Sequence, residues 1–364
     1  MLTHRPASHA AAPTGTATRT EKTVAGKPKY NRTQSAGKSC PANRLYWRAV
    51  IPFLHIGPIE IPTFGLMVAV AMIVAYVVLR ADLARRGIAE KNSSTAEMFI
   101  VIPSLVGIAG AKLYHVLETP QVLFAHPREE LLSRYGLAWF GGLIGGFAAW
   151  VWLSRRKNIP LLTSFDAGSV AATLGYGVGR IGCLLSGDGD YGVPTSLPWG
   201  MSFPNGLVPT TDTCVQLGWP ATCRVHPTPI YELIIACLIA WILWKLGAKQ
   251  IAPLRSRAAL LARASSPPNS RAAQIKHTAE RPAPQTPAAN ATRESLPDWL
   301  QPGSVFAAYL VLTGLARFLI EFIRINPRSF FGMTNAQTAS IGSVVAGLAL
   351  WWWVSRRATH LLAP

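Results

Sequence analysis

Three stretches of this 364-residue chain carry side chains that can do chemistry. The first is ARFLIEFIRINPR, which sets Arg317, Glu321 and Arg324 at i, i+4 and i+7 in an apolar setting. On a helix these three share one face, with Arg317 in pairing reach of Glu321. Arg324 then lies about 10 Å further along the axis, at 1.5 Å per residue. Charges in so apolar a segment must face a protein interior or a wet cavity. One carboxylate does not balance two guanidiniums, and the surplus suits a phosphate group, which arginine grips through a planar fork. The second stretch is GRIGCLLSGDGDYG, from Gly179 to Gly192, at the end of the apolar run SFDAGSVAATLGYGV. Arg180 sits at that run's edge, and Asp188 and Asp190 follow in a glycine-rich turn whose backbone N–H groups can cradle an anion. The third is HPTPIYE, from His226 to Glu232. His226 is a proton carrier near neutral pH, and Tyr231 suits a membrane interface. Plainer readings stay open for each: a structural Arg–Glu pair, a snorkelling arginine before an ordinary turn, and a helix entry with a surface histidine.

The elements that must position these groups are apolar helices. Half of the residues are hydrophobic and only 14% are charged, well below the roughly 25% usual for soluble domains. A helix needs roughly 20 apolar residues to cross a bilayer. About seven stretches qualify or nearly do: 62–80, 96–117, 136–153, 165–186, 229–246, 303–324 and 335–354. The fifth is short and its start the least defined. Capping-box spacing marks two starts, Ser94 with Glu97 and Thr163 with Asp166. GLAWFGGLIGG, opening the third, reads as a surface for close helix packing. Basic clusters (RADLARRG, SRRKN, WKLGAKQ, SRRATH) follow the odd-numbered stretches. The bias of lysine and arginine toward the cytoplasm then predicts an all-α, polytopic membrane protein with its N-terminus outside and its C-terminus cytoplasmic. The basic N-terminal tail is the one feature that disagrees.

The predicted organisation is a basic, disordered tail over 1–48, a membrane domain over 49–248 with an outer loop at 187–228, a flexible basic linker over 249–300, a second membrane part over 301–357 and a tail over 358–364. The tail and linker hold 17 of the 35 Lys/Arg, so much of the net charge of +18 belongs to them. That charge suits an anionic inner leaflet and orientation; no basic-aromatic module points to nucleic acid. The five cysteines show no zinc spacing. Cys214 and Cys223 share one polar loop and can pair if it faces an oxidising compartment.

Taken in order, the motifs resemble those of the bacterial prolipoprotein diacylglyceryl transferase family, from about Ile61 to Arg357. GRIGCLLSGDGDYG is similar to the family signature, PWGMSFP to the segment after it, HPTPIYE to its HP-x-Q-(L/I)-YE, and ARFLIEFIR to its R-x-x-x-E-x-x-R helix. IPTFGLM, GAKLYHVLE, FGGLIGG and GMTNAQTASI fall in the right order. The resemblance implies transfer of a diacylglyceryl group from phosphatidylglycerol to the lipobox cysteine of preprolipoproteins, with loss of glycerol phosphate. The site lies toward the outer face of the bacterial inner membrane, and no cofactor or metal is used. By carry-over, Arg180 and Arg317 contact the phosphate, Arg324 and Tyr231 belong to the substrate side, Glu321 orients Arg317, Gly187 and Gly192 shape the turn, and Asp166 is structural.

Departures from the family pattern accompany the matches. Phe140 stands at the family histidine proposed as a base, Phe64 at a tyrosine, Cys183 and Ser186 at asparagines, and Pro229 at the glutamine. The turn is one residue longer, so Asp188 and Asp190 both answer to the family's acidic residue. Asp188, Asp190 and His226 are the substitutes for the missing base. Two other classes are carried beside the main one: a phospholipid-dependent transferase with another acceptor, and a non-catalytic lipid-binding protein or transporter.

Overall fold

The computed structural model describes residues 50–88, 94–118, 120, 121, 128, 138–265 and 297–360. The tail over 1–48, the start of the third apolar stretch, most of the 249–300 linker and the last four residues lie outside them. The described residues all belong to one compact unit, Cys40–Pro364.

A short hairpin, β1 (Phe53–Ile56) paired antiparallel with β2 (Ile59–Pro62), leads into α1 (Thr63–Arg85). Then come α2 (Thr95–Glu118), α3 (Trp139–Arg156) and α4 (Leu161–Ser186). The outer loop contains α5 (Thr210–Gln216). It is followed by α6 (Thr228–Ser265), a 3-10 turn at Asp298–Leu300, α7 (Ser304–Ile320), the strands β3 (Arg328–Phe330) and β4 (Met333–Thr334), and α8 (Asn335–His360).

Seven helices thus coincide with the seven apolar stretches. Four contain segments both long and apolar enough to cross a membrane: Thr63–Arg85, Thr95–Glu118, Thr228–Ile251 and Asn335–Arg357. Ser304–Ile320 is apolar but shorter. The composition of α1 explains its place. Leu66, Val68, Val70, Ile73 and Val77 point outward, as they would toward hydrocarbon. α4 is the reverse case, with Gly, Ser and Thr throughout and many buried residues. Its small side chains let neighbours come close: α4 packs against both α1 and α6. α2 and α3 meet through glycines. A Cβ added to Gly110 would lie 2.6 Å from the carbonyl oxygen of Gly141, so only bare backbone fits there.

Three expectations are corrected. The fifth stretch is not short: α6 begins at Thr228 and runs 38 residues, carrying helix to Ser265 through the start of the predicted flexible linker. α4 starts at Leu161 after Pro160, not at a Thr163–Asp166 capping box. Asp166 is instead fully buried. It accepts hydrogen bonds from the backbone N–H of Gly303 and of Phe306, each 2.8 Å, and from Gln250 Nε2 at 2.9 Å. A carboxylate that satisfies the first amides of α7 stabilises that helix end twice, by filling orphan donors and by opposing the positive end of its dipole. Finally, ARFLIEFIR is not one continuous helix. α7 ends at Ile320, with Glu321 as its C-cap, and Arg324 lies beyond it in an isolated bridge to Gly192.

Candidate active site

The site assembles where three chain segments cross at one end of the helices. α4 ends because Gly187 adopts a left-handed conformation (φ +58). A Cβ there would also lie 2.7 Å from Gly206 Cα. The following turn is stitched to both other segments. Gly192 N–H donates to His226 O at 2.9 Å, and Val193 N–H to Ile323 O at 2.8 Å. The Thr228 hydroxyl donates to the Asp190 carbonyl at 2.6 Å. Gly192 has no room for a side chain, since a Cβ would meet Ile323 O at 2.5 Å. Arg180, Asp190 and Arg324 are drawn together by this stitching.

The charged groups form one network. Asp190 pairs with Arg180 through one carboxylate oxygen and with Arg324 through the other. Glu232, at the start of α6, reaches Arg180 Nε at 2.7 Å, Arg317 Nη1 at 2.7 Å and Arg324 Nη1 at 3.5 Å. Glu321 sits 3.1 Å from Arg317 Nη2 and accepts from Asn326 on its other oxygen. The Tyr176 hydroxyl accepts from Arg180 Nη2 at 2.8 Å, with the guanidinium 4.7 Å from the ring centre. The expected surplus of charge is corrected here, because Asp190, Glu232 and Glu321 match the three arginines one for one. A surplus of donors remains. Each guanidinium offers about five N–H groups and each carboxylate about four acceptor sites. Arg317 is the most open of the three, 28% exposed against 13% for Arg180 and 6% for Arg324.

Beneath the network lies a cavity of about 640 Å³ between α4, α6, α7 and α8. Arg180, Asp190, Glu232, Arg317 and Arg324 form its charged end, and Ala172, Ile235, Ile239, Ala316 and Ile320 are among its apolar lining. Trp139 and Phe140 of α3 also line it, so Phe140 puts an apolar ring into the wall.

Asp188, His226 and Tyr231 are not among the residues that line this cavity. Asp188 receives the Asp190 backbone N–H at 3.2 Å, and burial pushes its carboxyl above the ordinary value. Asp190 is opposed by burial, but Arg324 and Arg180 outweigh that and hold it below the ordinary carboxylate value. His226 Nδ1 and the Tyr231 hydroxyl share a hydrogen bond of 3.2 Å, and Trp199 Nε1 donates to the same hydroxyl at 2.8 Å. Burial lowers the His226 pKa. Cys183, Asp188 and Asp190 bring ligand atoms within 4.8 Å of one another, yet Asp190 spends both oxygens on guanidiniums, so the trio is poorly suited to a cation. Cys214 and Cys223 are joined as a disulfide inside the outer loop.

Sequence reasoning missed Glu232 and Tyr176. An acid at the threshold of an apolar helix was a signal for the first. Tyr176 lies four residues before Arg180, one helical turn away, which was a signal for the second.

Comparison with known proteins gives a consistent result. The family profile described as prolipoprotein diacylglyceryl transferase matches residues 52–262 and 290–353. A relative from Geobacter sulfurreducens is 26% identical over 312 residues, covering 84% of this chain and 95% of its own length. One from Gloeobacter violaceus is 26% identical over 314 residues, covering 85% and 95%. One from Synechococcus elongatus is 31% identical over 209 residues, covering 56% and 68%. Each is named phosphatidylglycerol–prolipoprotein diacylglyceryl transferase.

Proposed function

Since the chain belongs to the prolipoprotein diacylglyceryl transferase family, we propose that it is the enzyme transferring the diacylglyceryl group of phosphatidylglycerol to the lipobox cysteine thiol of preprolipoproteins. The observation that carries this reading is a trio of guanidiniums at the charged end of a mostly apolar cavity. A phospholipid has the matching form, an anionic headgroup on apolar chains. In the reaction the thiol sulfur forms a bond to the terminal glyceryl carbon, that carbon's bond to the phosphate oxygen breaks, and glycerol phosphate leaves with the electron pair. Negative charge grows on the phosphate, so prepositioned donors favour the transition state over the bound lipid. Arg317, the most open, and Arg180 are the phosphate contacts. Arg324 and Glu232 hold them in register, and Glu321 orients Arg317. Gly187 and Gly192 act by shaping the turn, and Tyr231 stands with His226 on the substrate side of the outer loop.

The proton acceptor is narrowed by geometry. Asp190 is tied to two arginines. His226 is kept neutral by burial and so can accept a proton, but its place beside Tyr231 requires the acceptor peptide to approach from the outer loop. A free thiol has a pKa near 8.5, so modest assistance suffices.

The same reading sets the seven helices across the bacterial inner membrane with the N-terminus outside and the C-terminus cytoplasmic. The arginine network and the Cys214–Cys223 loop occupy the same end of the helices, joined through the Gly192–His226 and Val193–Ile323 hydrogen bonds. A disulfide favours an oxidising compartment, which supports the outer face for both. Membrane lipids and the signal peptides of preprolipoproteins are then the partners.

The test is reconstitution of the purified protein with phosphatidylglycerol and a lipobox peptide. The expected product is the peptide heavier by one diacylglyceryl group, together with glycerol phosphate. Phe140 in the cavity wall favours one second reading, a transferase of the same donor with another acceptor. Consumption of phosphatidylglycerol without peptide modification would select it. Lipid binding with no turnover would reject both.

A further inference from the structure

The hydroxyls around the cavity are not equivalent. Thr173, Thr313, Ser340 and Ser343 each donate to a backbone carbonyl, of Ser169, Tyr309, Ala336 and Leu310, at 2.6 to 2.9 Å. Their protons are spent. The two tyrosines on the lining, Tyr176 and Tyr309, make no such bond among the described residues, and of the two only the Tyr176 oxygen accepts from a cation, Arg180. Among the described residues no acceptor takes its own proton. At 45% exposure Tyr176 is open rather than sealed within protein, so its O–H is available to whatever occupies the cavity. Tyr176 lies on the cavity lining next to Arg180, where an acceptor would be supplied by a ligand.

Arg180 itself is well occupied. Its Nη1 goes to Asp190, its Nε faces Glu232, and its Nη2 goes to Tyr176. The guanidinium therefore extends its polarity into the cavity through the phenol. A hydroxyl oxygen that accepts from a cation is polarised and becomes a stronger donor. The ring lies beside the guanidinium, which limits the directions its hydroxyl can take. Phe140, at the family histidine position, offers the cavity no hydrogen-bonding atom.

We propose that Tyr176 is a further catalytic residue, donating a hydrogen bond to the phosphate oxygen that parts from the glyceryl carbon. This rests on the transferase reading. As the S–C bond forms and the C–O bond breaks, the electron pair settles on that oxygen. Tyr176 keeps its proton and strengthens its hydrogen bond as the charge grows. The thiol proton leaves separately, to the acceptor on the outer-loop side, for which His226 is the candidate. Such a donor acts on the transition state more than on the bound lipid, so its removal lowers kcat rather than raising KM.

Tyr176→Phe keeps the ring beside Arg180 and deletes only the donor. The experiment compares wild type and this variant in one reconstituted assay with phosphatidylglycerol and a lipobox peptide, alongside direct binding of phosphatidylglycerol. The expected result is a fall in kcat on the order of a hundredfold, the scale of a lost oxyanion donor. KM and lipid binding should stay within about twofold, since a donor that acts mainly in the transition state adds little to ground-state binding. Wild-type kcat in the variant overturns the proposal. A loss carried by KM and binding also overturns it and makes Tyr176 a lipid-positioning group. Wild-type protein that binds lipid without turnover overturns the transferase reading first, and the Tyr176 role with it.

Discussion

His226 shows how one side chain can carry both a functional and a stability signature. Burial holds its imidazole below the ordinary 6.5, so the folded protein keeps the ring neutral where the unfolded chain already takes a proton. Between the folded value and 6.5 the unfolded state binds more protons, and stability rises with pH across that window. Above 6.5 the ring contributes no slope. Wild type should therefore lose thermal stability as pH falls below 6.5, and His226→Gln should lose less, measured as unfolding midpoints from pH 7.5 to 5. Parallel midpoint curves would contradict the assignment. Glu232 makes a different point at this scale. It is 5% exposed and contacts all three arginines. It is the residue on which the geometry of the network turns, although its own motif drew attention to His226.

At the scale of elements, α7 is fixed at both ends by partners distant in sequence. At its start, Asp166 of α4 takes the amides of Gly303 and Phe306, and Gln250 of α6 bonds both Asp166 and the Gln301 carbonyl. At its finish, the bridge between Gly192 and Arg324 turns the chain out of helix. Asp166→Ala leaves two amides without their acceptor, at about 1–3 kcal/mol each. The unfolding midpoint should drop by several degrees while activity at low temperature stays close to wild type, because the site lies at the opposite end of α7. An unchanged midpoint would contradict the structural role. These contacts also show what was legible. The apolar runs located the seven long helices among the described residues, since burial and lipid exposure both demand apolar residues. The pairing of Arg317 with Glu321 followed from helical spacing, and Cys214 with Cys223 from their shared loop. The end of α7 was not legible, because Glu321 and Arg324 keep helical spacing while a tertiary bridge ends the helix. The structural role of Asp166 came only from the family resemblance, because its partners are 84 to 140 residues away and leave no local pattern.

For the whole molecule, polarity is divided between the two ends of the helices. One end carries Asp82 with Arg85 and Arg86, and Arg86 also donates to Gln250 at 2.7 Å. These are structural ties among α1, α6 and the Asp166 cluster. The other end carries the arginine network, the disulfide loop and the charged end of the cavity. A soluble protein would not leave the outward apolar side chains of α1 and α2 bare, whereas a membrane would cover them. The central claim is that Arg180 and Arg317, brought together from α4 and α7, hold the phosphate as it departs. The most direct measurement is the rate of peptide lipidation by Arg180→Ala and Arg317→Ala against wild type, in the same phosphatidylglycerol membranes, with insertion and folding checked by thermal unfolding. Each folded variant should be slower by on the order of a hundredfold or more. Wild-type rates in both would contradict the account.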